Sequence, residues 1–140
     1  MHRRRFAGLL AILMAGVLVS GCPVPRNKVR LKVVNNTSNF YGSQLLLSRG
    51  TPDSMPIQFV SDNLLTNGDV DPGQSAQADV LMTTIDELNA NSITLFVLNA
   101  PGTLQYTSTI SAGGFEGGTQ YTLTMENLGP NDHKVTLTKQ

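Results

Sequence analysis

Few side chains in this sequence are of the types that carry out covalent chemistry. The 140 residues include one cysteine, Cys22, and two histidines, of which His133 lies next to Asp132. A histidine beside an acid is one ingredient of a general base, but no G-x-S-x-G elbow or other nucleophile motif accompanies it. We therefore expect His133 to be a structural residue at a strand entry and the protein not to be an enzyme. A hydrolase that uses His133 is the remote alternative.

Acidic residues at alternate positions occur in the segment 67–73, where Asp69 and Asp71 follow the order of an EF-hand calcium loop. Counted from residue 67, however, Pro72 stands where that loop needs glycine, and Ala78 stands where it needs an acid. Asp69 and Asp71 are therefore expected to form a turn, with calcium binding as the weaker alternative. The sequence predicts no other metal site and no cofactor.

The first 22 residues have the order of a secretory signal. Three arginines at positions 3–5 precede an uncharged apolar stretch at positions 6–19, and small residues follow at 20–21. A bilayer-spanning helix needs about 20 apolar residues, so this stretch is too short to span a membrane. We expect residues 1–21 to be a cleaved signal peptide.

The residues Leu18-Val19-Ser20-Gly21-Cys22 resemble the lipobox of bacterial lipoproteins. This resemblance implies cleavage between Gly21 and Cys22, a diacylglyceryl group on the Cys22 sulfur, and acylation of the new amino terminus. An unmodified cysteine is the alternative. Two or more acyl chains hold a protein stably on a bilayer. In lipoproteins of enteric-type bacteria, an aspartate directly after the lipidated cysteine is similar to a signal for retention in the inner membrane. Here Pro23 follows Cys22 instead, which favours the outer membrane of a bacterial envelope.

The rest of the chain is expected to form a short tether, residues 22–27, and one domain, residues 28–140. The full chain is formally neutral, which gives no reason to expect nucleic-acid binding. Removal of residues 1–21 takes away three arginines and leaves seven basic and ten acidic side chains. Because Cys22 is the only cysteine, no disulfide is available and packing and hydrogen bonds must hold the fold.

Hydrophobic residues along the domain repeat with a period of two, which predicts strands. Each strong candidate has one apolar and one polar face, and glycine, proline or asparagine clusters separate the candidates. The stretch 92–99 is apolar on both faces and is expected at a sheet centre. The pair Thr84 and Glu87 has capping-box spacing and predicts a helical turn. The predicted strands are 28–35, 43–48, 57–60, 75–82, 92–99, 103–110, 119–126 and 133–139.

The segment Gly118–Gly129, followed by Val135 and Leu137, looks like the last two strands of an immunoglobulin-like domain. With seven or eight short strands, this resemblance implies an all-β fold, an antiparallel β-sandwich of immunoglobulin-like architecture. The segments 33–37 and 71–75 are in addition similar to small β-domains of bacterial envelopes. Neither resemblance fixes a function.

Basic residues alternate at the start of the domain: Arg26, Lys28, Arg30 and Lys32. This spacing places them on one side of an extended segment close to Cys22, where each gains about 1 kcal/mol from anionic lipid. The alternatives are a solvated strand face and protection of an edge strand by lysine. Because seven acids and no base occupy residues 53–87, we expect the basic end to face lipid and the acidic loops to face outward.

Two loops offer aromatic residues: Phe40 and Tyr41 in one, and Phe115 with Glu116 in the other. Aromatic residues at loop tips either bind partners or fold back to close the end of a sandwich. The sequence thus predicts a lipid-anchored, non-catalytic binding or assembly module with an envelope protein partner. The alternative is a structural or stress-related envelope component without a dedicated ligand.

Overall fold

The computed structural model describes residues 22–50, 56–99, 102–110, 114–129 and 132–140. The predicted signal peptide with its cleavage residue Gly21, and the acidic residue Asp53, lie outside the described residues. The described residues form eight strands and one helix. These elements are β1 (Lys28–Asn36), β2 (Tyr41–Arg49), β3 (Gln58–Phe59), β4 (Ser75–Leu81), α1 (Met82–Leu88), β5 (Ser92–Asn99), β6 (Gly102–Thr109), β7 (Gln120–Gly129) and β8 (Asp132–Lys139).

The strands form two four-stranded sheets, which confirms the predicted all-β sandwich and the predicted strand number. Sheet A has the order β4-β1-β7-β8, and sheet B has the order β3-β2-β5-β6. Neighbouring strands are antiparallel except for β1 and β7, which pair in parallel. Strand β5 lies between β2 and β6, at the centre of sheet B, as its apolar faces predict.

The hydrophobic core lies between the two sheets, because alternate residues of each strand point to the same side. The predicted inward residues of β1 and β7 are all buried. They meet buried leucine, isoleucine and valine side chains of β2 and β5. The central core residues are Val29, Leu31, Val33, Leu45, Leu47, Ile93, Leu95, Val97, Tyr121, Leu123 and Met125.

Strand β1 is an inner strand of sheet A, with β4 on one side and β7 on the other. Its basic residues therefore do not protect a sheet edge, and that interpretation of the lysines is wrong. They lie instead on the outer face of sheet A, opposite the buried Val29, Leu31 and Val33. Each is half-buried by its neighbours on the flanking strands.

The segment after β3 follows the free edge of β2 without forming a regular strand. Its side chains accept hydrogen bonds from backbone N–H groups of β2. Ser61 Oγ accepts from the Leu47 N–H at 2.8 Å, and Asn63 Oδ1 accepts from the Leu45 N–H at 3.0 Å. Further along, the backbone of Val70 exchanges two hydrogen bonds with the start of β2. This edge of sheet B is thus closed by a loop, which leaves no row of free donors along it.

Helix α1 connects sheet A to sheet B at the end of the sandwich where β1 begins, which we call the tether end. The helix starts at Met82, and its N-cap residue Leu81 makes no side-chain capping bond. The predicted capping box at Thr84 and Glu87 is therefore wrong, because Thr84 already lies inside the helix. The Ile85 side chain is buried in the core, and Asn89 ends the helix with a φ of 50°.

Candidate membrane-anchor surface and polar groove

Cys22 is the first described residue, and its side chain is exposed at the surface. Its carbonyl oxygen accepts a hydrogen bond of 2.8 Å from Arg30 Nη1. The same guanidinium donates two bonds to the Asp79 carboxylate, from Nε at 2.8 Å and from Nη2 at 3.1 Å. These bonds fix the Cys22 backbone against the outer face of sheet A.

The ion pair between Arg30 and Asp79 is well shielded, since the side chains are 12% and 29% exposed. Hydrogen bonding to Arg30 lowers the pKa of Asp79 below its ordinary value, although partial burial opposes that shift. The same bond raises the pKa of Arg30. The guanidinium of Arg30 is thus occupied within the protein, so it is a positioning group for the tether rather than a free cation.

The tether is folded onto the domain instead of extending from it. The N–H of Lys28 donates to the Pro25 carbonyl, which closes a turn, and the N–H of Met82 donates to the Asn27 carbonyl. The tether passes over Gly117, where an added Cβ would lie 2.0 Å from the Arg26 carbonyl oxygen. Because only glycine leaves that space open, the loop before β7 is shaped to receive the tether.

The outer face of sheet A carries an excess of positive charge. By the strand registers, four basic and two acidic side chains share this face with a row of threonines. The acids are both paired, Asp79 with Arg30 and Glu126 with Lys134 at 3.5 Å. The basic residues of this face are Lys28, Arg30, Lys32 and Lys134.

The predicted charge polarity along the molecule is wrong. Asp86 and Glu87 are exposed on helix α1, at the same end of the sandwich as the tether. Asp69 and Asp71 lie near the opposite end, where the Val70 backbone pairs with Gly42. The acids of residues 53–87 are thus distributed over both ends, because the chain runs the length of the sandwich between them.

The aromatic residues of the two predicted binding loops behave differently. Phe40 and Phe115 are buried in the core, with Phe115 packed edge-on against Tyr121, so neither is available to a partner. Tyr41 is 40% exposed at the end opposite the tether. Glu116 is exposed, but it forms a 2.9 Å ion pair with Lys139. Of these four residues, Tyr41 alone presents an exposed aromatic ring.

A polar groove of about 510 Å³ lies between strand β4 and the loop 64–71. This volume is within the usual range for small-ligand sites. Lys32 enters it from sheet A, and Asp69 and Asp71 line it from the loop. The groove thus combines one cation with two carboxylates and several amides, which suits a polar ligand. The amide-bearing residues that line it are Asn67, Gln74 and Gln77.

The calcium candidates Asp69 and Asp71 lie on this groove without a third acidic ligand. Within the described ranges, no group of three histidine, cysteine, aspartate or glutamate residues is close enough to hold a metal ion. Gly68 and Gly73 flank the two aspartates with positive φ angles of 91° and 80°. The backbone on either side of Asp69 and Asp71 thus has the conformation of a turn.

His133 is buried beneath two aromatic rings rather than exposed in a cleft. Its ring lies 4.0 Å from that of Phe40 and 5.1 Å from that of Tyr106, measured between centroids. Its Nε2 is buried and has no hydrogen-bond partner among the described residues. Asp132 accepts a bond from the His133 backbone N–H, so that contact does not orient the imidazole.

Sequence reasoning missed several residues that build the surface. The role of Asp79 could not be predicted from the sequence, because its pairing with Arg30 depends on the register between β1 and β4. Gly117 was predicted only as part of a turn. A row of buried and half-buried hydroxyls also crosses the outer side of sheet B, with oxygen–oxygen distances of 2.9 Å. Its members are Ser48, Ser92, Thr94 and Thr107.

No protein-family model matches the chain, and no curated protein matches it. Among the described residues, no helix has the length and hydropathy needed to cross a bilayer.

Proposed function

We propose that this chain is a lipid-anchored protein of the bacterial cell envelope, attached through acylated Cys22, that acts as a non-catalytic binding or assembly module. The lipobox-like segment supplies the modification signal. The observation that carries the proposal is that Cys22 is exposed while its backbone is fixed to the outer face of sheet A by Arg30. An acyl group at this position extends from the domain surface into lipid without disturbing the fold.

The charge of sheet A supports attachment with this face toward the bilayer. Lys28 and Lys32 flank Arg30 on the same face, and Arg26 precedes them in the tether. Each basic side chain near anionic headgroups contributes about 1 kcal/mol at most, which adds to the anchor rather than replacing it. The domain then lies flat on the membrane, with strands parallel to the bilayer, instead of standing on its tether end.

The groove between β4 and the loop 64–71 supports the binding half of the proposal over a purely structural role. It is open to polar ligands, and it lies at the edge of sheet A beside the core residues Leu65 and Val70. The burial of His133 under Phe40 and Tyr106 favours a non-catalytic protein, because a general base must reach its substrate. The partner we propose is another envelope protein.

Membrane fractionation of cells that express Cys22→Ser tests the anchor. We expect the wild-type chain to stay in the membrane fraction after a high-salt wash and to enter the detergent phase, because acyl chains and not charges retain it. The Cys22→Ser chain is expected to appear in the soluble fraction. The matched control, Cys22→Ser with Ser75→Cys, restores an exposed thiol elsewhere and should be soluble too. Retention of Cys22→Ser in the washed membrane would contradict the proposal.

A further inference from the structure

Strand β6 is a long sheet edge that carries no charge. Its eight residues, Gly102–Thr109, contain no proline and no charged side chain, and they are mostly exposed, with Leu104 at 42%. The other edges are protected: β3 has two residues, β4 carries Asp79, and β8 carries Asp132, Lys134 and Lys139. Natural proteins usually blunt exposed edges with such charges or by shortening them. Strand β6 lacks both protections.

Within the described ranges, the backbone groups on the outer side of β6 have no main-chain partner. The Ile110 N–H donates to the Asn91 carbonyl at 2.9 Å. Because backbone groups alternate in direction along a strand, the N–H and carbonyl groups of the even-numbered residues of β6 point toward β5. The N–H and carbonyl groups of the odd-numbered residues therefore point away from the sheet. In the described part of the chain, none of these groups makes a main-chain hydrogen bond outside sheet B. The outward-facing residues are Thr103, Gln105, Thr107 and Thr109.

We propose that β6 pairs with β6 of a second copy of this chain, so that two sheets B join into one continuous eight-stranded sheet. A second copy fits because the edge is uncharged, and two identical edges therefore meet without like-charge repulsion. Self-pairing at β8 would instead gather four lysines, Lys134 and Lys139 of each copy, along one shared edge. At β4 it would bring together two Asp79 regions that are already engaged with Arg30.

One antiparallel register satisfies all of the free groups. A two-fold axis at Tyr106 places Thr103 opposite Thr109 of the second copy and Gln105 opposite Thr107. Each of these opposed positions exchanges a pair of main-chain hydrogen bonds. The two Tyr106 side chains then lie directly across the axis from each other, where aromatic pairs stabilise a sheet.

The symmetry of this pairing agrees with a shared membrane surface. The two-fold axis of an antiparallel pair is perpendicular to the sheet, so both copies of sheet A lie on the same side of the dimer. Both Cys22 residues then face one bilayer. This orientation rests on the proposed function, whereas the pairing itself depends only on β6 and is measured without reference to the anchor.

Disulfide trapping of the full chain with Cys22→Ser, which removes the native cysteine, tests the register. In the proposed dimer, Leu104 lies opposite Ser108 of the second copy in a non-hydrogen-bonded pair, where Cα atoms are about 4.5 Å apart and a disulfide forms readily. Within one strand, these positions are about 13 Å apart at 3.3 Å per residue. Leu104→Cys/Ser108→Cys should thus give covalent dimers under oxidation. Leu104→Cys alone should not, and equal crosslinking by the single variant would overturn the register and the proposal.

Light scattering of the purified full chain in detergent measures the dimer directly. Thr103→Lys/Gln105→Lys is expected to weaken dimerisation by about tenfold or more, because four lysines then gather across the axis. The control Ser75→Lys/Gln77→Lys adds the same charge to β4 and should change the dissociation constant by less than about twofold. A monomeric wild-type chain, or a dimer that tolerates the β6 lysines, would overturn the proposal.

Discussion

The His133 imidazole is the most chemically suggestive side chain of the domain, and its surroundings favour its neutral form. It is 4% exposed and lies between the rings of Phe40 and Tyr106. Burial lowers the pKa of His133 below its ordinary value of 6.5, and the nearby charge of Asp132 only partly offsets this. Its buried Nε2, which no described residue hydrogen-bonds, adds a further penalty to the folded state.

This burial predicts that acid weakens the fold through His133. Because the folded pKa is lowered, the unfolded chain takes up the proton first, and stability is lost as pH falls from 6.5 through the folded value. Between pH 7.5 and 5.5 the loss from this group is at most about 1.4 kcal/mol. Urea unfolding at these two pH values should show a smaller loss for His133→Phe than for the wild-type chain.

At pH 7.5, His133→Phe should be as stable as the wild-type chain or more stable by about 1 kcal/mol, since phenylalanine fills the site without an orphan nitrogen. Lys134→Gln serves as the control, because it changes a charge on the exposed side of the same strand and should keep the wild-type pH dependence. If His133→Phe lost as much stability on acidification as the wild-type chain does, the buried imidazole would not be the sensor.

At the scale of elements, the alternation of apolar residues predicted the positions of nearly all strands. It did not predict how deeply the inward side chains of each strand are buried. Tyr121, Leu123 and Met125 are buried as their spacing predicts. Leu104 has the same inward pattern but is 42% exposed, because β6 is an edge strand. Whether a strand lies at the edge or at the centre of a sheet depends on which strands become its neighbours. An alternating pattern of apolar residues does not indicate this position, whereas a strand that is apolar on both faces, such as β5, is predicted at the centre.

The outer face of sheet A makes an element-scale prediction about orientation. If this face lies on lipid, removal of Lys32 and Lys134 lowers binding to anionic vesicles more than removal of Arg49 and Lys139, which lie at the tether end. The suitable protein is residues 22–140 with Cys22→Ser, because this range contains all core residues of the described part of the chain. Co-sedimentation with vesicles of anionic and of neutral lipid measures the difference.

Loss of the two sheet A charges, in Lys32→Gln/Lys134→Gln, is expected to reduce binding to anionic vesicles by about tenfold, in line with about 1 kcal/mol or less for each charge. The control Arg49→Gln/Lys139→Gln removes the same net charge and should reduce it by less than about threefold. Added salt should weaken binding in both cases. A larger effect of the control pair would show that the tether end faces the lipid.

At the scale of the whole molecule, the sequence predicted the sandwich but not the order and pairing of its strands. Local turn signals locate loops, whereas the parallel pairing of β1 with β7 joins segments about 90 residues apart. A separation of 49 residues likewise hides the bond between Arg30 and Asp79, which holds the tether against sheet A. The candidate anchor Cys22 was predictable because its signal is contiguous, while the groove beside β4 depends on register and on a loop that replaces a strand.

The attachment of the whole domain to a membrane depends on the chemistry of residue 22. Intact-mass analysis of the protein purified from its native membrane, with fragmentation of the amino-terminal peptide, tests this most directly. We expect the chain to begin at Cys22 and to carry the mass of a diacylglyceryl group, with an acylated amino terminus. A chain that begins at Met1, or that carries an unmodified Cys22, would contradict the account.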